Sequence, residues 1–361
     1  MRILVYNWRD LAHPRAGGAE VYIHAVARAW IASGHDVTLF CASVEGRPEQ
    51  EDVDGIHLVR RGGRFSVYRE ARRFYEREGR GQFDLVVDEV NTRPFLTPRF
   101  VTDVPIVAIV HQVCREIWRY EMPLPIALLG RYWLEPRWLR AYREISVVTV
   151  SQSSKESLEL YGLKHVTVVP EGHDPLPLPR QVARETAPTV LFVGRLSANK
   201  RPDHAIEAFR LVSRAIPEAR LWVVGDGPMR RHLERTAPPG VTFFGRVNEE
   251  AKRELMARAH AILATSVREG WGLVVTEAAA VGTPAIAYDL PGLRDSVGAS
   301  GGVLVAANPQ DLAAGVVDLL PRWGRSRADV QPGGVIEWNA AALQILAAPR
   351  LATPSEQREA V

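Results

Sequence analysis

The feature that most constrains this chain is an alternation. Short runs rich in Val, Ile and Leu are separated by longer stretches of helical period, and the series restarts once. Such runs specify parallel strands covered on both faces, because a strand buried on both sides has no polar face with which to alternate. The first series predicts strands over Ile3–Asn7, Asp36–Cys41, Ile56–Arg60, Asp84–Val90, Pro105–His111, Val147–Ser151 and Val166–Pro170. The second predicts strands over Thr189–Gly194, Arg220–Gly225, Val241–Gly245, Ala261–Thr265, Pro284–Asp289 and Gly302–Val305. A length of 361 residues is more than one ordinary core needs, which again asks for two domains.

The proline-rich stretch from Asp174 to Arg180 marks the boundary, since alternating prolines favour an extended connector. The expected organisation is an α/β N-terminal domain over residues 1–174 and an α/β C-terminal domain over residues 181–335. A helix over about 337–348 is expected to cross back to the first domain, and 349–361 to form a disordered tail.

Hydrophobic content of 46% and charged content of 24% are those of a folded globular protein. Met1-Arg2-Ile3-Leu4-Val5 enters a strand directly, without a secretory pattern, and no run is apolar for the length a bilayer span needs. The expectation is a cytoplasmic protein. A net charge of +3 without a recognition motif argues against a nucleic-acid reader. Cys41 and Cys114 lack metal-ligand spacing and are expected to be buried, reduced thiols. The basic residues are almost all arginine, so the four lysines, Lys155, Lys164, Lys200 and Lys252, each carry some information.

The chemistry concentrates in a few loops at strand ends. After the strand ending at Thr265 comes Arg268-Glu269-Gly270-Trp271-Gly272-Leu273-Val274-Val275-Thr276-Glu277. Two glycines let backbone approach a ligand, and a helix starting near Gly272 aims free N–H groups at an anion. Glu269 and Glu277 are suited to accept hydrogen bonds from sugar and ribose hydroxyls, although a loop Glu and a surface helix Glu would look the same. Gly194-Arg195-Leu196-Ser197-Ala198-Asn199-Lys200 leaves the neighbouring strand, and there an Arg fork and a Lys point charge can clamp two phosphates. In the first half, Gly17-Gly18 precedes a long helix, but the loop from Asn7 is too long for a dinucleotide turn. His111 ends a strand at the carboxyl edge, as a ligand contact or a structural histidine. Asp52-x-Asp54 matches a metal-binding D-x-D pattern formally and is assigned to a polar turn.

The combination of Gly17-Gly18-x-Glu20, Gly194-Arg195-Leu196 with Lys200, Gly225-Asp226-Gly227-Pro228 and Glu269-x7-Glu277 with Ala280-x-Gly282-Thr283-Pro284 resembles the retaining glycosyltransferases of family 4. The resemblance implies the GT-B fold, two Rossmann-like doubly wound domains facing across a cleft. It implies transfer of a hexosyl unit from a nucleoside-diphosphate sugar to a hydroxyl acceptor, without cofactor or divalent metal. By the same resemblance Arg195 and Lys200 neutralise the departing diphosphate, Gly17 and Gly18 offer it backbone, Glu269 with the backbone of Gly270, Trp271, Gly272 and Leu273 holds the sugar, and Val274 contacts the donor. Glu277 binds the ribose, Arg246 and Val247 lie near the base, and His111 orients sugar or acceptor. The acceptor is expected to meet Asn7, Trp8, Arg9 and Asp10. One departure stands out: where relatives often carry Asn-Gly-Val-Asp, this chain has Glu171-Gly172-His173-Asp174.

Two other readings compete: a sugar-nucleotide epimerase on the same architecture, and a non-catalytic sugar-nucleotide-binding subunit. Basic residues beside apolar ones, over Arg60–Arg80 and Trp118–Tyr142, raise a contact with an anionic membrane surface and a lipid-linked acceptor. The competing explanation is amphipathic helices packed on their own core.

Overall fold

The computed structural model describes residues 1–173, 182–323 and 333–350. The expected boundary at 174–180 and residues 351–361 of the expected tail lie outside the described residues, whereas Pro349 and Arg350 do not begin a disordered tail but complete the 3₁₀ turn Ala348–Arg350. The chain forms two compact units, one comprising Met1–Arg115, Leu124–Asp174 and Ile336–Val361, the other Glu116–Pro123 and Pro175–Val335.

In the first unit the strands are β1 (Arg2–Tyr6), β2 (Asp36–Cys41), β3 (Gln50–Val53), β4 (Ile56–Arg60), β5 (Leu85–Glu89), β6 (Ile106–Ile109), β7 (Ser146–Thr149) and β8 (Val166–Val168). They form one sheet in the order β3-β4-β2-β1-β5-β6-β7-β8. All neighbours are parallel except β3, which pairs antiparallel with β4. Periodicity did not reveal β3, because Gln50-Glu51-Asp52-Val53 is a polar edge strand with no buried face. Asp52 therefore stands in a strand, where its carboxylate meets His57 Nδ1 at 2.9 Å, and only Asp54-Gly55 makes the turn. The central strands are buried throughout, from Ile3 to Tyr6 and from Leu85 to Glu89, as the continuous apolar runs require.

The helix Gly18–Ala32 carries the chain from β1 to β2. Glu20 Oε2 accepts from the Gly17 amide at 2.6 Å, satisfying one of the free donors at the helix start. The helix Trp338–Ala347 packs on it, with Trp30 Nε1 donating to the Ala342 carbonyl at 2.9 Å. Its entry is fixed by β16 (Ile336–Glu337), which pairs with β9 (Gly172–His173). A Cβ at Gly172 would lie 2.1 Å from the Trp338 ring, so only glycine fits that crossing.

The second unit is a six-stranded parallel sheet of β10 (Thr189–Val193), β11 (Arg220–Val224), β12 (Val241–Gly245), β13 (Ala261–Ala264), β14 (Ala285–Tyr288) and β15 (Gly302–Val305). Its order, β12-β11-β10-β13-β14-β15, is the 3-2-1-4-5-6 arrangement of a doubly wound sheet. The strand order reverses between β10 and β13, and the loops that leave those two strands lie side by side at the carboxyl edge, with Val267 N donating to the Asn199 carbonyl at 2.9 Å. In such a sheet that is where a ligand has room to enter. In the first unit the corresponding reversal lies between β1 and β5.

The expected domain limits need one correction, because Glu116–Pro123 belongs with the second unit. Arg268, almost fully buried, holds Glu116 at 3.0 Å, and Arg201 donates to the Tyr120 hydroxyl at 2.8 Å. An ion pair of this kind specifies a partner that hydrophobic periodicity cannot reveal. Cys41 is buried as expected, but Cys114 is only half-buried, its thiol 3.3 Å from Thr92 Oγ1.

Candidate active site

In the second unit the loop after β10 is clasped by the loop after β11. Gly194 N donates to the Val224 carbonyl at 3.0 Å, and Leu196 N to the Asp226 carbonyl at 2.9 Å. A Cβ at Gly225 would stand 1.9 Å from the Gly194 carbonyl oxygen, which explains the glycine of Gly225-Asp226-Gly227. Arg195 leaves this clasp exposed, with no hydrogen bond or ion pair to its guanidinium among the described residues. Lys200 ends a single 3₁₀ turn, Ala198–Lys200, ahead of the helix Pro202–Ala215. Thr265 Oγ1 pins that turn by donating to the carbonyls of Lys200 and Arg201.

The loop after β13 brings the acidic partner. Lys200 Nζ forms a close ion pair with Glu269 Oε1, and Ser266 Oγ donates to the same oxygen at 2.5 Å. The Glu269 amide is tied to the Pro291 carbonyl at 3.1 Å. Gly270 is buried, and the buried Trp271 donates from Nε1 to Thr276 Oγ1 at 2.9 Å. Gly272, at φ +94°, turns the chain into the helix Leu273–Ala280. That left-handed residue lets the helix start immediately after the acidic loop, directing the amides of Leu273 and Val274 back toward it. Eight positions after Glu269, Glu277 lies 3.0 Å from Lys252 Nζ. Lys252 also holds Glu249 at 2.7 Å; burial works against its charge, but Glu277 and Glu249 outweigh it and keep the ammonium above its usual range. Two of the four lysines thus close on the two glutamates of one motif. Arg246, exposed, and Val247, packed on the core, follow β12 at the same edge of the sheet.

In the first unit His111 follows β6 and lies beside Glu89, at the end of β5. His111 Nε2 is 3.2 Å from Glu89 Oε1, and its Nδ1 is 3.8 Å from Glu171 Oε1. The Tyr22 ring meets the imidazole edge-on, with centroids 4.7 Å apart. Burial opposes the imidazolium, yet the carboxylates of Glu171 and Glu89 overcome it and push His111 up to about 10. Burial in turn pushes Glu89 up to about 7, against the pull of His111. At neutral pH His111 is therefore a cation, unable to take up a proton: Nε2 donates to Glu89, while Nδ1 stands beyond hydrogen-bond distance of Glu171. Sequence reasoning missed Glu89, which sits inside an apolar strand, and left the role of Glu171 open.

The loop after β1 is also ordered by charge. Arg9 donates to Glu20 at 2.8 Å and stacks over Trp8, 4.6 Å from the ring centre. Asp10 accepts from Arg60 Nε at 2.7 Å in a buried pair, leaving Oδ1 without a hydrogen-bond partner. Asn7 accepts from Asn91 Nδ2 at 2.7 Å, while its own Nδ2 is unpartnered. Gly17 caps the first helix, and beside Gly18 the space is open, with nothing within 4 Å of where a Cβ would be. Among the described residues no group of three or more His, Cys, Asp and Glu side chains is placed to hold a metal ion.

The sequence matches two family models end to end: Glycosyltransferase Family 4 over residues 16–175, and Glycosyl transferases group 1 over residues 176–331. A GDP-mannose-dependent alpha-(1-6)-phosphatidylinositol dimannoside mannosyltransferase of Mycobacterium tuberculosis is 30% identical over 215 residues, covering 56% of this chain and 56% of that protein. The match thus spans about half the length of that relative. Among solved structures, sucrose-phosphate synthase from Thermosynechococcus elongatus superimposes with a TM-score of 0.74 at 20% identity, covering 97% of this chain and 98% of that one. The Anabaena HepE protein in complex with UDP and glucose superimposes with a TM-score of 0.66 at 16% identity, over 99% and 97% of the two chains. With both halves matched in order and both sheets wound as the fold demands, the chain belongs to family 4 of the glycosyltransferases and has the GT-B fold.

Proposed function

We propose that this protein transfers a hexosyl unit from a nucleoside-diphosphate sugar to a hydroxyl acceptor, with retention of anomeric configuration and without a divalent metal. The observation that carries the reading is the meeting of Lys200 with Glu269 at the carboxyl ends of β10 and β13, where the strand order reverses, beside the start of the helix Leu273–Ala280. A diphosphate reaching that edge exchanges one anionic partner of Lys200 for a stronger one and frees Glu269 to accept hydrogen bonds from sugar hydroxyls. Arg195, unpaired and exposed, adds a second cation, and the helix amides add partial positive charge. Together they stabilise the charge that grows on the leaving diphosphate as the anomeric bond breaks. Glu277, held by Lys252, is placed for the ribose, with Arg246 and Val247 toward the base.

On the acceptor side, His111 as a fixed imidazolium donates hydrogen bonds and orients a hydroxyl; it neither attacks nor serves as base. A donor phosphate oxygen takes the acceptor proton. Gly17 and Gly18 offer backbone to the diphosphate, and Asn7, Trp8, Arg9 and Asp10 meet the acceptor. The names of two relatives, one GDP-mannose-dependent and one bound to UDP and glucose, support a nucleoside-diphosphate sugar as donor.

The test is a thermal-shift panel of nucleoside diphosphates and their sugars, followed by product analysis with the best donor in the presence of a chelator. Stabilisation by a nucleoside diphosphate and an axial-to-axial or equatorial-to-equatorial product are expected. If no nucleotide moves the melting temperature, the donor assignment is wrong; an inverted anomer would remove retention alone.

A further inference from the structure

Six of the fifteen exposed large hydrophobic side chains among the described residues lie within ten positions, from Leu124 to Trp133. They stand on the helix Leu124–Leu129 and the wider turn Gly130–Leu134 that continues it toward the helix Glu135–Leu139. Ala127, Gly130, Glu135 and Leu139 face inward, so the amphipathic order is inverted over the first two turns, with the large apolar groups outside. Trp133 is 56% exposed and Tyr132 62%. The other stretch that raised a membrane contact behaves in the opposite way. There Val67, Ala71, Phe74 and Tyr75 are core residues, and Arg72 and Arg73 pair with Glu76 and Glu70.

Charge selects what can cover the exposed face. From Leu124 to Arg140 the charged residues are Arg131, Glu135, Arg137 and Arg140. The one acid, Glu135, is buried and turned inward, accepting from the Cys114 and Arg115 amides at 2.5 and 3.0 Å. Arg131 lies over the Tyr132 ring at 5.3 Å and Arg137 over the Trp133 ring at 5.5 Å, aromatic bodies each carrying a cation. A second copy docked on this face about a two-fold axis would bring arginine against arginine. An anionic lipid surface accepts both components at once, apolar side chains below the headgroups and guanidinium groups among the phosphates. No helix among the described residues is long and apolar enough to cross a membrane, so the contact lies in the interface.

We propose that the face formed by Leu124, Ile126, Leu128, Leu129, Tyr132 and Trp133 seats this protein on an anionic bilayer. It stands on exposure and charge alone, independently of the transferase reading, and its test measures partition rather than turnover. The full chain is sedimented with vesicles of mixed phosphatidylcholine and phosphatidylglycerol, and with vesicles of phosphatidylcholine only. Binding to the mixed vesicles at low salt is expected, and Leu128→Ser with Trp133→Ser should weaken it at least about tenfold without lowering the melting temperature. Arg137→Glu with Arg140→Glu should weaken it as well. A wild-type chain that stays in the supernatant at low salt overturns the proposal, as does a Ser variant that still binds fully. So does a dimer in size-exclusion light scattering that the Ser variant abolishes, since the face would then belong to a second copy.

Discussion

Lys252 Nζ stands 3.0 Å from Glu277 Oε2, joining the helix Glu249–Arg258 to the helix Leu273–Ala280 through a partly buried ion pair. Glu249 anchors the same ammonium, so Lys252 holds Glu277 rather than the reverse. A ribose-binding carboxylate gains from this, because a side chain fixed before the donor arrives loses little freedom on binding. Lys252→Ala should therefore raise the donor KM by about five- to tenfold and change kcat much less. Lys252→Arg should only partly restore it, since a planar fork cannot replace a compact ammonium between two carboxylates. Initial-rate kinetics with varied donor decide the matter, and an unchanged KM would detach Glu277 from the donor.

Lys200 makes a different prediction. Its partner Glu269 also accepts from Ser266, so the acid keeps a hydrogen bond when the lysine is removed. Lys200→Ala should leave the melting temperature within a few degrees of wild type, because the ammonium keeps some contact with solvent and the partly buried pair is worth about 1 kcal/mol. Turnover should fall by about a hundredfold, the scale on which a single group facing developing charge acts. Near-normal turnover would refute the diphosphate assignment.

The two sheets were legible because their central strands are continuous apolar runs, and the helix starts because Gly17, Pro202 and Gly272 punctuate them. What escaped the sequence has a physical reason in each case. Gln50–Val53 is an edge strand without an apolar face, Glu116 finds Arg268 across 152 positions, and Glu89 is a carboxylate buried in a strand that looks wholly structural. The motif Glu269-x7-Glu277 was visible as a pair of acids, whereas the lysines that answer them come from separate elements, a 3₁₀ turn after β10 and the helix Glu249–Arg258. Only the winding of β10 to β13 brings Lys200 and Lys252 to the same edge.

His111 ties stability to pH. Its folded-state value of about 10 lies above the ordinary histidine value of 6.5, so the pairing stabilises the fold fully below pH 6.5 and is lost as pH rises through 10. The melting temperature of the first unit should therefore decline between pH 6.5 and 10. In His111→Asn, which cannot carry the charge, the decline over that window should be flatter. Replacing Glu171 by Asn, which removes one of the two carboxylates, should shift the wild-type midpoint downward. Parallel pH profiles for wild type and His111→Asn would show that the cation is not held by these carboxylates.

Two glycines separate a demand of the fold from a demand of the ligand. Gly292 lies at φ +82°, and a Cβ there would stand 2.2 Å from the Glu269 carbonyl oxygen. Gly292→Ala should destabilise the protein by about 2–4 kcal/mol, because both the backbone conformation and the contact are closed to a side chain. Gly18 has no such reason: it sits in the first turn of a helix with open space where a methyl group would go. Alanine there should leave stability unchanged or raise it by up to about 1 kcal/mol, since alanine is the better helix former. If backbone at Gly18 must approach a diphosphate, the same methyl group obstructs that approach, and kcat/KM for the donor should fall by about tenfold or more. Thermal denaturation and donor kinetics on the two variants should therefore diverge, Gly292→Ala losing stability and Gly18→Ala losing turnover. A Gly18→Ala protein with full turnover would leave the glycine without a role in either the fold or the site.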